Sequence, residues 1–142
     1  MQNTYNPVLN EILVDVFHQI LAIQQKRLKK MGVPLTLSEV HVLEAIEKTQ
    51  DPSMSHIASK LHITVGSLTT SIKKLVKKGY VQRFQDSHDK RKVILENTEA
   101  AKVILSKHDA FHQSMIDAVV KDLDPSSMTY LIDSFKKLTS FF

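Results

Sequence analysis

No cysteine occurs in this sequence, so disulfides, thiolate metal sites and thiol redox sensing are excluded. Glycine is nearly as scarce, with three in 142 residues beside four prolines. The lone Gly66 of TVGSLTTS therefore falls short of a phosphate-cradling loop, which needs more glycine and a Lys-Ser or Lys-Thr pair at fixed spacing. Neither a Gly-x-Ser-x-Gly elbow nor a paired set of carboxylates is present, and we expect no enzymatic activity. Long apolar runs are missing too: no window approaches about 18 apolar residues. The opening MQNTYNPVLNE has no basic start, so a cytoplasmic protein without membrane association is expected.

What remains is an ordinary globular composition, 42% hydrophobic and 24% charged, of single-domain length. Its charge is unevenly placed. Thr64 to Lys92 carries eight Lys or Arg (Lys73, Lys74, Lys77, Lys78, Arg83, Lys90, Arg91, Lys92) against Asp86 and Asp89, so this stretch is +6 while the whole chain is +4. Everything else sums to −2. Positive charge concentrated in one stretch points to a polyanionic partner.

Helical periodicity dominates the chain. Asn6 caps and Pro7 opens a first helix, with Leu9, Ile12, Leu13, Val16, Phe17, Ile20 and Leu21 on a broad stripe and an end near Lys29, Lys30 and Gly32. Thr36 and Glu39 form a capping box for a second helix whose buried face is Val40, Leu43 and Ile46. Ser53 caps a short helix, Met54 to Leu61. A three-residue turn, His62 to Thr64, leads to a fourth helix, Val65 to Lys78, closed by Gly79. Tyr80 to Phe84 and Lys92 to Glu96 have the length and composition of short strands. Thr98 then caps a fifth helix through about Asp122, and Asp124 with Pro125 starts a sixth.

Helix, short turn and helix at this spacing is helix-turn-helix geometry, and the two strands add a wing. On the fourth helix Val65, Leu68, Ile72, Leu75 and Val76 fall on the core side, while Gly66, Ser67, Thr70, Lys73, Lys74 and Lys77 fall opposite. Small residues let the backbone sink into a major groove about 12 Å wide, and the lysines lie against phosphates. Thr64 caps this helix and places its free N–H groups beside a phosphate. In the wing, Arg91 is suited to the narrow minor groove, and Asp89 orients it. The residues expected at DNA are thus Ser53, Thr64, Gly66, Ser67, Thr69, Thr70, Lys73, Lys74 and Lys77, with His88, Asp89, Lys90 and Arg91 from the wing.

Three features together resemble the MarR family of bacterial transcriptional regulators over nearly the whole length. They are the pattern SHIASKLHITVGSLTTSIKKLVKKGYVQR, the Lys78-Gly79 pair before a strand, and the Asp-x-Arg wing signature at Asp89 and Arg91. After the second strand the family commonly reads Leu-Thr and then glycine, whereas this chain reads Glu96, Asn97, Thr98, Glu99. The fold class implied is mainly α with a small β-wing, one domain over 1–142: a winged helix-turn-helix at 36–97 between dimerisation helices at 6–35 and 98–142. The resemblance implies a homodimer that represses from a palindromic double-stranded operator. Phe17, Ile20, Leu131, Phe135, Leu138, Phe141 and Phe142, exposed in a monomer, agree with a partner copy.

Within the family, TVGSLTTSIKKLVKKGY with His108 and His112 is similar to the repressors of fatty-acid synthesis genes, which implies acyl carrier protein as corepressor and an acyl chain in an apolar cleft. A small-molecule effector is also compatible with the family. The main alternative is a zinc-responsive repressor. His108 and His112 stand four apart on one helix face, and His41 with Glu39 or Asp109 could complete a site. No cofactor is the favoured reading. A winged-helix module that docks protein is the remaining alternative, and the basic fourth helix and wing weigh against it.

Overall fold

The computed structural model describes residues 5–141. Its elements run α1 (Tyr5–Lys30), α2 (Leu37–Lys48), α3 (Met54–Lys60), α4 (Val65–Lys77), β1 (Val81–Gln85), β2 (Val93–Asn97), α5 (Glu99–Val120) and α6 (Pro125–Thr139). Short-range chemistry sets most boundaries. The Thr36 hydroxyl accepts the Glu39 N–H at 3.2 Å while the Glu39 carboxylate accepts the Thr36 N–H at 2.9 Å, the reciprocal box expected. Ser53, Thr64 and Asp124 each accept an N–H from three residues ahead and so cap α3, α4 and α6.

Three helices end in the same way. The N–H groups of Val33, Ile63 and Tyr80 reach back to the carbonyls of Leu28, Ala58 and Leu75, and those of Gly32, His62 and Gly79 to Lys29, Ser59 and Val76. These are Schellman closures, which need a left-handed residue at the turn. Gly32 and Gly79 supply it at φ +66° and +83°; His62 does so at +55°, where a side chain costs about 1 kcal/mol.

Several boundaries differ from expectation. α1 starts at Tyr5, so Asn6 lies inside the helix and Pro7 is its third residue, still in the turn where no N–H is needed. Both strands begin one residue later than expected, β1 because the Tyr80 N–H is engaged in closing α4 and is not available to the ladder. α4 and α5 end slightly early, at Lys77 and Val120. At the start of α5, the Thr98 carbonyl accepts the Lys102 N–H, but its hydroxyl turns to the Gly79 carbonyl at 2.8 Å.

Two compact units divide the chain after Leu105, within α5. The first unit holds a continuous core of Leu28 on α1, Val40, Leu43 and Ile46 on α2, Ile57 and Ala58 on α3, Leu68, Ile72 and Leu75 on α4, Val81 and Leu95 on the strands, and Ala101, Ile104 and Leu105. Each fully buried Leu or Ile contributes about 1.5–3 kcal/mol of transfer free energy, which fixes α4 against α2 and α3. β1 and β2 pair antiparallel with Arg83 opposite Leu95. The base of this hairpin is fastened to the helices at three places. Ser53 bridges to Ile94, the Leu95 N–H reaches the Pro52 carbonyl at 2.9 Å, and the Asn97 amide donates to the Leu43 carbonyl at 2.8 Å.

The second unit contains the rest of α5 and α6. None of the residues of α6 is fully buried, and Tyr130, Phe135, Leu138 and Phe141 are exposed. Of the apolar residues expected to be bare, Ile20 and Leu131 are half-buried, Phe17 is exposed, and Phe142 lies outside the described residues. Among the described residues no helix is long and apolar enough to cross a membrane.

Candidate nucleic-acid interface

α4 turns a narrow strip inward, Leu68, Ile72 and Leu75, each 0% exposed. Val65 and Val76, expected in that strip, are instead 48% and 39% exposed. The core beneath the helix begins at Leu68, and Val65 projects one turn beyond it. Thr64, Gly66, Ser67, Thr70, Lys73, Lys74 and Lys77 are all exposed, and Thr69 is half-buried. At Gly66 φ is not positive, and an added Cβ would meet only the Thr64 Oγ1 at 3.9 Å. Nothing within the chain therefore requires glycine there.

The hydroxyls at this end of the helix are already oriented. Thr69 donates to the Val65 carbonyl at 2.8 Å and Thr70 to the Gly66 carbonyl at 3.3 Å. Thr64 accepts the Ser67 N–H and donates to the Ser67 hydroxyl, both at 3.0 Å. Ser53 is the correction in this set. It is 5% exposed, its hydroxyl caps α3 and its backbone pairs with Ile94, so it builds the frame and has no surface to offer a phosphate.

The wing tip is shaped by two aspartates. Asp86 accepts the His88 N–H at 2.8 Å and Asp89 accepts the Arg91 N–H at 3.0 Å, each capturing a backbone group two residues on. Asp89 thus holds the backbone of Arg91. The His88 N–H is also the main reason the Asp86 carboxyl titrates below its ordinary range. His88, Asp89, Lys90 and Arg91 are exposed.

Charge counting along the sequence overstated what faces outward. Lys78 donates to both Glu39 oxygens at 3.2 Å and to the Pro34 carbonyl at 2.9 Å, across 39 and 44 residues. Lys92 bonds Asp51 at 2.5 Å and lies 3.9 Å from Asp86, and the bond to Asp51 raises its pKa above the usual lysine value. His56 joins the same knot, its Nδ1 lying 2.8 Å from the Asp51 carbonyl oxygen. Both lysines act as struts inside the first unit. Lys73, Lys74, Lys77, Arg83, Lys90 and Arg91 make no ion pair among the described residues. These six cations, on α4, β1 and the wing tip, leave the outward surface strongly positive.

Comparison with known proteins supports this geometry. Residues 35–93, from just before α2 to the start of β2, match the MarR family. The chain is 32% identical over 108 residues to the HTH-type transcriptional regulator SarZ of Staphylococcus haemolyticus, covering 75% of this chain and 71% of that protein. It belongs to the MarR family. Members are non-enzymatic, DNA-binding transcriptional regulators with a winged helix-turn-helix. Among solved structures, Streptococcus pneumoniae FabT in complex with DNA superposes with a TM-score of 0.88 at 26% identity, over 96% of both chains. The Staphylococcus aureus MepR–DNA complex shares the fold, with a TM-score of 0.77 at 16% identity over 94% of this chain and 97% of that one.

The histidines of this MarR-family regulator are placed as follows. On α5, the His108 and His112 rings are 4.4 Å apart between centroids and tilted by 56°, as their four-residue spacing requires. The buried His112 Nε2 has no hydrogen-bond partner among the described residues. His41 is half-buried on α2. Glu39, considered as a companion ligand, is engaged by Thr36 and Lys78, and Asp109 is exposed on another side of α5 from the buried His108.

Proposed function

We propose that the chain is a cytoplasmic homodimeric repressor that binds a palindromic operator, each α4 in a major groove and each Arg91 in the adjoining minor groove. The observation that carries the reading is the exposed α4 face, with six cations on α4, β1 and the wing that make no ion pair among the described residues, beside a wing tip whose turn is fixed by Asp86 and Asp89. Dimerisation is supported by α1, which leaves Leu9, Ile12, Leu13, Val16 and Phe17 exposed, and by the exposed aromatic residues of α6. Apolar surface of that extent is rarely left to water. Selection from a random duplex pool tests the reading. It should enrich an inverted repeat with half-site centres about 10 base pairs apart, and the absence of any enriched duplex would overturn it.

For the effector, we infer acyl carrier protein loaded with an acyl chain, acting as corepressor at fatty-acid synthesis genes. The likeness to FabT over 96% of both chains supports this subgroup. Acylated carrier should tighten operator binding where the unloaded carrier does not. Equal effects of the two would remove the corepressor role. A zinc-responsive repressor is the second reading, favoured by the adjacent His108 and His112 rings and the buried Nε2 of His112. Its test is operator affinity in chelator and in added zinc, for the wild type and for His108→Ala with His112→Ala; no response to zinc in the wild type sinks it.

A further inference from the structure

The amino-terminal end of α4 has an unusual balance of hydrogen-bonding groups. Four hydroxyls lie within seven residues, yet those of Thr64, Thr69 and Thr70 have their protons engaged by Ser67 Oγ and by the Val65 and Gly66 carbonyls. Ser67 alone retains a side-chain proton to give. The Lys73 backbone lies eight residues beyond Val65, which is about 12 Å further along the axis at 1.5 Å per residue. What this end presents is therefore the exposed isopropyl group of Val65, the methyl groups of Thr69 and Thr70, and threonine oxygens with lone pairs to accept.

Guanine offers two acceptors in the major groove, N7 and O6, and is read by side-chain donors. This surface has almost none. A G·C pair and a T·A pair each offer one amino donor and two acceptors in that groove, and what the T·A pair adds is the thymine 5-methyl group, an apolar contact. The methyl group matches Val65, while the threonine oxygens can accept from the amino group of either pair. Building on the DNA-binding reading above, we propose that Val65 is a specificity-determining residue that reads a thymine 5-methyl group, so that α4 selects T·A over G·C pairs at its amino-terminal end.

The test replaces single thymines by deoxyuridine in the best duplex selected from the random pool. This removes one methyl group and leaves pairing and hydrogen-bonding edges unchanged. Burial of one methyl group corresponds to about a fourfold change in affinity. At one thymine of each half-site the wild type should lose about that factor. Val65→Ala should lose affinity for the thymine duplex and become insensitive to the substitution at that same position. Val65→Thr, which keeps a branched side chain with one methyl, should retain part of the sensitivity. Circular dichroism verifies folding, and Val65 is exposed enough for truncation to leave the core intact. A wild type that binds every deoxyuridine duplex equally well, or a Val65→Ala variant as sensitive as the wild type, overturns the inference while DNA binding stands. Failure of the wild type to bind any duplex would instead overturn the DNA-binding reading beneath it.

Discussion

Replacing Gly66 by alanine separates what the fold needs from what the duplex needs. A glycine within a helix destabilises it by about 0.5–1 kcal/mol relative to alanine, because its backbone loses more freedom on ordering. At Gly66 an ideal Cβ has one neighbour, Thr64 Oγ1 at 3.9 Å, an ordinary van der Waals contact. Gly66→Ala should therefore stabilise the protein, by about 0.5 kcal/mol since the site lies in the first turn. Urea unfolding followed by circular dichroism would show it as a higher midpoint with an unchanged slope. The same methyl group would stand where the groove floor closes on the helix. Forcing an extra methyl into a packed contact costs about 1–3 kcal/mol, so operator affinity should fall about five- to 150-fold in fluorescence anisotropy. A variant that is more stable and binds as tightly as the wild type would refute close approach at Gly66. A destabilised variant would refute the open space above it.

Arg91→Ala should weaken operator binding by about 1–3 kcal/mol in the same assay, and affinity equal to the wild type would remove the wing from the minor groove. Lys73→Ala or Lys77→Ala should each lower the slope of log K against log salt by about one unit for every phosphate left without its lysine. Lys78→Ala should leave that slope unchanged and instead lower the unfolding midpoint, because Lys78 is bound to Glu39 and Pro34. Asp51→Asn should reduce affinity by less than about fivefold with an unaltered salt slope, since it loosens the exposed strut to Lys92 and leaves every cation that faces the duplex in place. Lys92 is raised above its ordinary 10.5, so its contribution is complete below that value and is lost as pH rises through the raised value. Asp86 is lowered from 3.8, so its contribution is complete above that value and is lost as pH falls through the lowered one. In a His56→Gln, His88→Gln background, wing-tip amide exchange corrected for intrinsic rate should thus show no titration of this pair between about pH 5 and 9, and a step inside that window would contradict the assignment.

Features governed by neighbours in the sequence were readable in advance. The Thr36–Glu39 box, the caps at Ser53, Thr64 and Asp124, and the glycine closures at Gly32 and Gly79 need only a few adjacent residues. Contacts between distant segments were not. Lys78 with Glu39 and Lys92 with Asp51 lie 39 and 41 residues apart, so both lysines entered the charge count of the basic stretch as if unpaired. A helical wheel put Val65 and Val76 on the core side but could not show where the core beneath the helix ended, and both are exposed. His62 gave no sign of its left-handed turn, because only glycine or asparagine would have marked it. Thr98 carried a capping signature, yet Gly79 offered its hydroxyl a carbonyl at 2.8 Å.

Ser53 opens α3 with its side chain and lengthens the sheet with its backbone. The second strand and the short helix are consequently tied together at a single residue. A tilt of α3 is thereby passed to the strand that follows Arg91, and the helix and the wing keep one shared footing.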